Sequence, residues 1–218
     1  MSQKLLGRKA GMTQRFDDSG NAIACTVISC APNVVSQIKT VEKDGYIALQ
    51  TAFEEYPGED KRRQERLAGQ PRAGHFKKGG IAPRRFVTES RFEKAPEVEM
   101  GAEIGVDLFQ EGQYVDVAGV TKGKGYQGVI KLHGFAGGPG AHGSGFHRLA
   151  GSTGMRSTPG RCFKGGKRAS QMGGRRRTIQ SLRVIAVMPE KGLLLVAGSV
   201  PGAAGDLVTV TVAKKKAA

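Results

Sequence analysis

The stretch LRVIAVMPEKGLLLVAGSVPGAAGDLVTVTVA, residues 182–213, consists of three apolar runs separated by two turn signals, PEKG and PGAAGD. In the last run Val208, Val210 and Val212 alternate with Thr209 and Thr211. A period of two built from β-branched residues is the pattern of a strand with one covered face. The beginning of the chain behaves likewise. AIACTVIS (22–29) follows the turn-forming DDSGN, and VEKDGYIALQTAF (41–53) carries the hairpin signal Asp44-Gly45. In the latter, Ile47, Leu49, Thr51 and Phe53 share one face while Tyr46, Ala48, Gln50 and Ala52 share the other, which predicts a half-buried strand. Short strands at both ends with helix-poor sequence between them predict a mainly β fold, a closed β-barrel whose terminal strands meet.

Two segments interrupt this pattern. The first, 56–91, opens with EDKRRQERLAG, a short surface helix stopped near Gly69, and continues as AGHFKKGGIAPRRF with the cations Lys77, Lys78, Arg84 and Arg85. The second, 121–178, holds Lys122, Lys124, Lys131, Arg148, Arg156, Arg161, Lys164, Lys167, Arg168, Arg175, Arg176 and Arg177 but no Asp or Glu. These 12 cations account for most of the chain's net charge of +15, and the same segment carries 16 of its 33 glycines. The expected organisation is a barrel from 1–55, 92–120 and 179–213, an inserted basic subdomain at 56–91, an extension at 121–178 and a basic tail at 214–218.

The extension opens with TKGKGYQG, in which Gly123, Gly125 and Gly128 have the spacing G-x-G-x-x-G of a dinucleotide fingerprint. That motif needs a following helix and an acid about 20 residues on. Here glycine recurs throughout KLHGFAGGPGAHGSGFHRLAGSTG, and the next carboxylate after Asp116 is Glu190. The sequence therefore argues against a nucleotide-dependent enzyme. Cys25, Cys30 and Cys162 lack C-x-x-C spacing, so buried thiols are expected for the first two. His142, His147 and Cys162 have no carboxylate nearby to complete a catalytic metal site. No cofactor is expected. No apolar run approaches the roughly 18 residues of a membrane span, and MSQKLLGRKAGMTQRF places charges where a signal peptide needs an apolar stretch. A soluble, intracellular chain is expected.

A segment with few large apolar side chains, abundant glycine and uncompensated charge does not offset its own ordering entropy. A polyanion supplies what is missing. Arg and Lys neutralise phosphates, and glycines let the backbone approach them. Phe135, Phe146, Phe163, His142 and His147 can meet exposed bases. Without a recognition helix to read base edges, the pattern favours shape-directed RNA binding. A basic architectural DNA binder is the competing reading.

These residues resemble a known family, the third protein of the large ribosomal subunit in its bacterial form. The resemblance rests on GRKAGMTQRF (7–16), AGHFKKGGIAPRRF (73–86) and the stretch from Phe109 through VDVAGVTKGKGYQG. It continues in GSTGMRSTPGRCFKGGKRASQMGGRRRT (151–178) and LLLVAGSVPGAAGDLV (193–208). It implies a barrel of the translation-protein type and an extension running into large-subunit rRNA towards the peptidyl-transferase centre. It also implies an early role in assembly, binding near the 3′ end of that rRNA, and a cytoplasmic, ribosomal, non-enzymatic protein among other large-subunit proteins. Carried over, the tip of the extension comprises Gly151, Ser152, Thr153, Gly154, Met155, Arg156, Ser157 and Thr158, with Lys122 and Lys124 at its base. Two positions depart from the family pattern. Leu132 stands where a basic residue is common, and Ser157 where some relatives carry a methylated glutamine, so that modification is not expected.

Overall fold

The computed structural model describes residues 3–58, 60–94 and 96–216. In chain order the elements are β1 (Lys4–Phe16), β2 (Ala22–Ser29), β3 (Asn33–Lys39), α1 (Val41–Asp44), β4 (Ala48–Glu55), α2 (Lys61–Ala68), α3 (Gln70–Lys77), β5 (Arg84–Arg91) and β6 (Glu103–Ile104). They continue as β7 (Tyr114–Val120), β8 (Tyr126–Gln127), α4 (Val129–His133), β9 (Ser170–Gln171), β10 (Arg176–Met188), β11 (Leu193–Ala197) and β12 (Leu207–Val212). The chain forms two compact units. Thr121–Arg175 is one, and the sequence on either side of it is the other. Among the described residues no helix is long and apolar enough to cross a membrane.

In the larger unit six antiparallel strands follow one another in the order β1-β12-β7-β10-β11-β2, and β2 returns to β1, so that the ring closes. The first and last strands pair, with Leu5 opposite Val210 and Gly7 opposite Val208. The alternation read from 207–212 is the alternation observed: Val208 and Val210 are fully buried while Thr209 and Thr211 face outward. Leu5, Ile28, Val115, Val117, Val184, Leu194 and Val196 complete the interior. Each such side chain contributes roughly 1.5–3 kcal/mol on burial. Cys25 and Cys30 are buried free thiols, and burial pushes the Cys30 thiol up to about 12.

β3 and β4, assigned to the barrel by the sequence reading, lie instead in a separate four-stranded sheet of order β5-β4-β3-β6. Alternating strands look alike whichever sheet they join, and pairing is a long-range choice. Nor is β4 half-buried. Ala48, Leu49, Thr51, Ala52 and Phe53 are all buried, so both faces are covered. The Asp44-Gly45 dipeptide does not form a two-residue hairpin. The helical turn α1 connects β3 to β4, and Gly45, at φ 78°, caps its end. α2 matches the expected surface helix, with Asp60 accepting a hydrogen bond from Arg62 N and Gly69 closing it. The run after it, to which the sequence reading gave no secondary structure, begins with a second helix, α3, whose Phe76 is buried. Gly74 weakens the helical signal there, and the tertiary burial of Phe76 overrides it.

The edge of β1 shows how the sheet and the ring are joined. β2 accompanies β1 only from Arg8 onward. Before that point, side chains take the place of a neighbouring strand. Ser90 Oγ accepts from Lys4 N at 2.9 Å. The Asn33 amide accepts from Leu6 N and donates to Leu6 O, both at 3.0 Å.

Candidate nucleic-acid interface

The extension begins as a stem. Thr121 N donates to Arg175 O at 3.0 Å, Gly174 N to Thr121 O at 3.0 Å, Lys124 N to Met172 O at 2.8 Å and Met172 N to Gly125 O at 2.9 Å. β8 and β9 continue the pairing, and the Tyr126 hydroxyl donates to Ala169 O at 2.9 Å. Gly173 allows the two chains to approach. Its φ is 73°, and a Cβ there would overlap the Lys122 carbonyl oxygen. Lys122, Lys124 and Arg175 are thereby held on this stem with their side chains exposed.

A helix does open after the third glycine of TKGKGYQG, but α4 has only five residues and ends at Gly134, whose φ is 71°. The dinucleotide motif requires a much longer helix and a ribose-binding acid, and neither follows. Lys131 lies exposed on α4, with Leu132 half-buried beside it. Beyond, Gly138 N donates to His147 O at 2.7 Å, closing a loop in which His142 and His147 both adopt positive φ. Gly151 through Thr158 are all exposed, and Met155 is 68% exposed. Ser152 Oγ donates to Gly154 O at 2.8 Å, and Arg168 reaches Thr153 O at 3.4 Å. Among the described residues no group of His, Cys, Asp or Glu is arranged to hold a metal ion.

Arg148, Arg156, Arg161, Lys164, Lys167 and Arg168 are exposed as well. The ion pairs among the described residues all lie outside this unit. With no carboxylate between Asp116 and Glu190, its positive charges repel one another without internal compensation.

The remaining predicted residues divide. Arg176 and Arg177 begin β10, opposite Val120 and Gly119. Adjacent strand residues point to opposite faces, so these two arginines do not act on one surface. Lys77 and Lys78 are exposed at the end of α3. Arg84 and Arg85 are held by carboxylates of β4: Arg84 meets Glu55 at 2.9 Å, and Arg85 meets Glu54 at 3.1 Å while lying over the Phe86 ring. Glu54 also binds Arg8 at 2.6 Å. These two arginines are thus tied to the sheet.

Sequence reasoning passed over other cations. Arg62 and Arg66 line a groove of about 530 Å3 with Lys77 along α2 and α3. Lys4, Arg91 and Lys214 line another with Arg176. The signal available was the period of two in RRFVTESR, which places Arg91 on the face of Val87 and Glu89.

A β-structured body carrying an acid-free, cationic, glycine-rich extension has the build of a protein that meets a polyanion. The family model described as ribosomal protein L3 matches residues 75–192. The large ribosomal subunit protein uL3 of Protochlamydia amoebophila is 54% identical over 217 residues, covering 100% of this chain and 92% of the relative. The uL3 of Chlamydia felis is 50% identical over 94% of both chains, and that of Streptococcus pyogenes serotype M1 is 49% identical over 100% of both. The chain belongs to the ribosomal protein L3 family.

Proposed function

We propose that this protein is a structural, non-catalytic constituent of the large ribosomal subunit that binds large-subunit rRNA through residues 121–178 and acts early in assembly. On this reading the six-strand ring is a barrel of the translation-protein type on the subunit surface. The extension runs towards the peptidyl-transferase centre with Gly151–Thr158 at its tip, and other large-subunit proteins are neighbours in the cytoplasmic ribosome. The observation that carries the reading is the set of exposed extension cations that no carboxylate of their own unit neutralises. Packed RNA helices repel through their phosphates. Cations fed between them on a glycine-rich backbone lower that repulsion, while the β unit anchors the chain.

The test is the salt dependence of binding to large-subunit rRNA. Each phosphate neutralised contributes about 0.7 to the logarithmic slope on a single strand and about 0.9 on a duplex. Replacing Lys122, Lys124 and Arg175 by Gln flattens the slope on this reading. An unchanged slope removes the stem from the binding surface. Equal affinity for duplex DNA favours the architectural DNA-binding alternative instead.

A further inference from the structure

The outward faces of β1, β12, β7 and β10 are contiguous, because these strands are neighbours in the ring. With β5 they line a groove of about 810 Å3. Lys4 and Arg176 stand on the ring side, Arg91 on β5, and Lys214 just past β12. Two carboxylates also line it, but both are engaged. Glu89 pairs with Lys39 at 2.8 Å and accepts from the Tyr46 hydroxyl at 3.0 Å. Asp116 accepts from Ser181 N at 2.8 Å and Lys214 N at 3.3 Å. Among the described residues none of the four cations has a carboxylate within ion-pair distance. Lys4 Nζ is held at the groove wall by Glu89 O at 2.5 Å. Burial, followed by the charge of Arg176, lowers its pKa below the ordinary lysine value.

β5 is an edge strand. Phe92 N bonds Ile47 O, and since hydrogen-bonded and non-bonded pairs alternate, Glu89 and Arg91 turn their N–H groups away from β4. Thr178 and Gln180 add exposed polar side chains on β10. Clustered cations without carboxylate partners, with hydroxyls beside them, suit a chain of phosphodiesters with sugar hydroxyls between them.

We propose that this groove holds a segment of RNA backbone, a phosphate-binding site on the β unit built by Lys4, Arg91, Arg176 and Lys214. It rests on the reading of the protein as an rRNA binder, and adds a site outside the extension. A strand of RNA is favoured over an acidic peptide because Thr178, Gln180, Thr209 and Thr211 line the groove together with the four cations, and their hydroxyl and amide groups match the sugar hydroxyls that RNA carries beside its phosphates.

The test uses the full chain and large-subunit rRNA, with two readouts. Salt dependence is compared for the unaltered protein, Arg91→Gln with Lys214→Gln, and Lys122→Gln with Lys124→Gln. The acylation rate of Lys4 Nζ in the unaltered protein is measured alone and with rRNA, inorganic phosphate or polyglutamate. Arg91 and Lys214 are exposed, Arg91 lying over the Tyr46 ring at 4.6 Å, and circular dichroism checks that their replacement leaves the fold intact. The expected result is a slope reduced by about 1.4–1.8 in the groove variant, together with at least fivefold protection of Lys4 by rRNA alone. An unchanged groove slope, or an unprotected Lys4, overturns the proposal. If the stem variant still flattens the slope in that case, rRNA binding by the extension stands. If the unaltered protein shows no salt-dependent binding, the parent reading fails instead. Equal protection by phosphate assigns the groove to a free anion, and equal protection by polyglutamate to an acidic protein segment, either of which overturns the RNA site.

Discussion

Asn33 is fully buried and supplies with one amide what a strand would supply with its backbone: an acceptor for Leu6 N and a donor to Leu6 O, with a further bond to Ala31 O at 3.2 Å. Asn33→Ala strands both groups of Leu6 in a dry interior and should destabilise the protein by about 2–4 kcal/mol, read as a fall in the urea midpoint. Asn33→Asp keeps the acceptor but sets a carboxylate oxygen against the Leu6 and Ala31 carbonyls in a dry site, and should cost at least as much at pH 7. If Asn33→Ala unfolds at the midpoint of the unaltered protein, the amide is not bridging the sheet and the ring. Glu89 is the second residue with a measurable signature. The hydrogen bond from Lys39, aided by that from Tyr46, holds its carboxyl below the ordinary value of 4.5. A carboxylate with a depressed folded-state pKa contributes stability above its unfolded value and loses it as pH falls through the folded one. The thermal midpoint should therefore drop as pH is lowered below about 4.5, and Glu89→Gln should flatten that drop while lowering the midpoint at pH 7. Parallel curves for the two proteins would assign the acid sensitivity to other groups.

The elements differ in how local their causes are. β2 and β12 were legible because a turn signal and a period of two are complete within about ten residues, and the Asp17 side chain does cap the turn by accepting from Ser19 N and Asn21 N. What stayed hidden depends on distant partners. The assignment of β3 and β4 to a second sheet, the covering of both faces of β4 and the capture of Arg84 and Arg85 by Glu55 and Glu54 leave no trace in a local window. The extension was legible as composition, yet its first residue in β10 is Arg176, so strand structure reaches three residues into the segment read as 121–178. A positively charged strand end looks like the loop that precedes it. The stem offers a test at this scale. Gly173→Ala places a Cβ against the Lys122 carbonyl at a positive φ, and should part the two chains without touching the ring. Amide exchange at Lys124 and Met172 should quicken at least tenfold, equivalent to about 1.4 kcal/mol, while Val117 and Val210 exchange as before. Equal protection at the stem amides would show that the chains accommodate the methyl group.

Across the whole molecule, charge and exposure are distributed unequally, and this separates affinity from position. The stem and the groove of the β unit hold Lys122, Lys124, Arg175, Lys4, Arg91, Arg176 and Lys214, whereas Gly151–Thr158 contains Arg156 as its sole cation. If each neutralised phosphate adds a comparable increment, most of the binding free energy resides away from the tip. The tip therefore acts by where it lies. Its backbone is kept in shape by short-range bonds, Ser152 to Gly154 and Arg168 to Thr153, and Met155 and Ser157 are free to meet a neighbour. On the proposed function that neighbour is RNA close to the peptidyl-transferase centre. Met155→Trp and Ser157→Trp should then leave the yield of large subunits within about twofold, because they remove no phosphate contact. They should instead alter peptide-bond formation, or sensitivity to drugs bound at that centre, in the subunits recovered. Lys122→Gln with Lys124→Gln should do the reverse, lowering subunit yield while the few subunits formed retain normal turnover. Gradient sedimentation and a single-turnover peptidyl-transfer assay on the same preparations separate the two. Tip variants that fail to assemble, yet show normal turnover when incorporated, would place affinity at the tip and overturn this division.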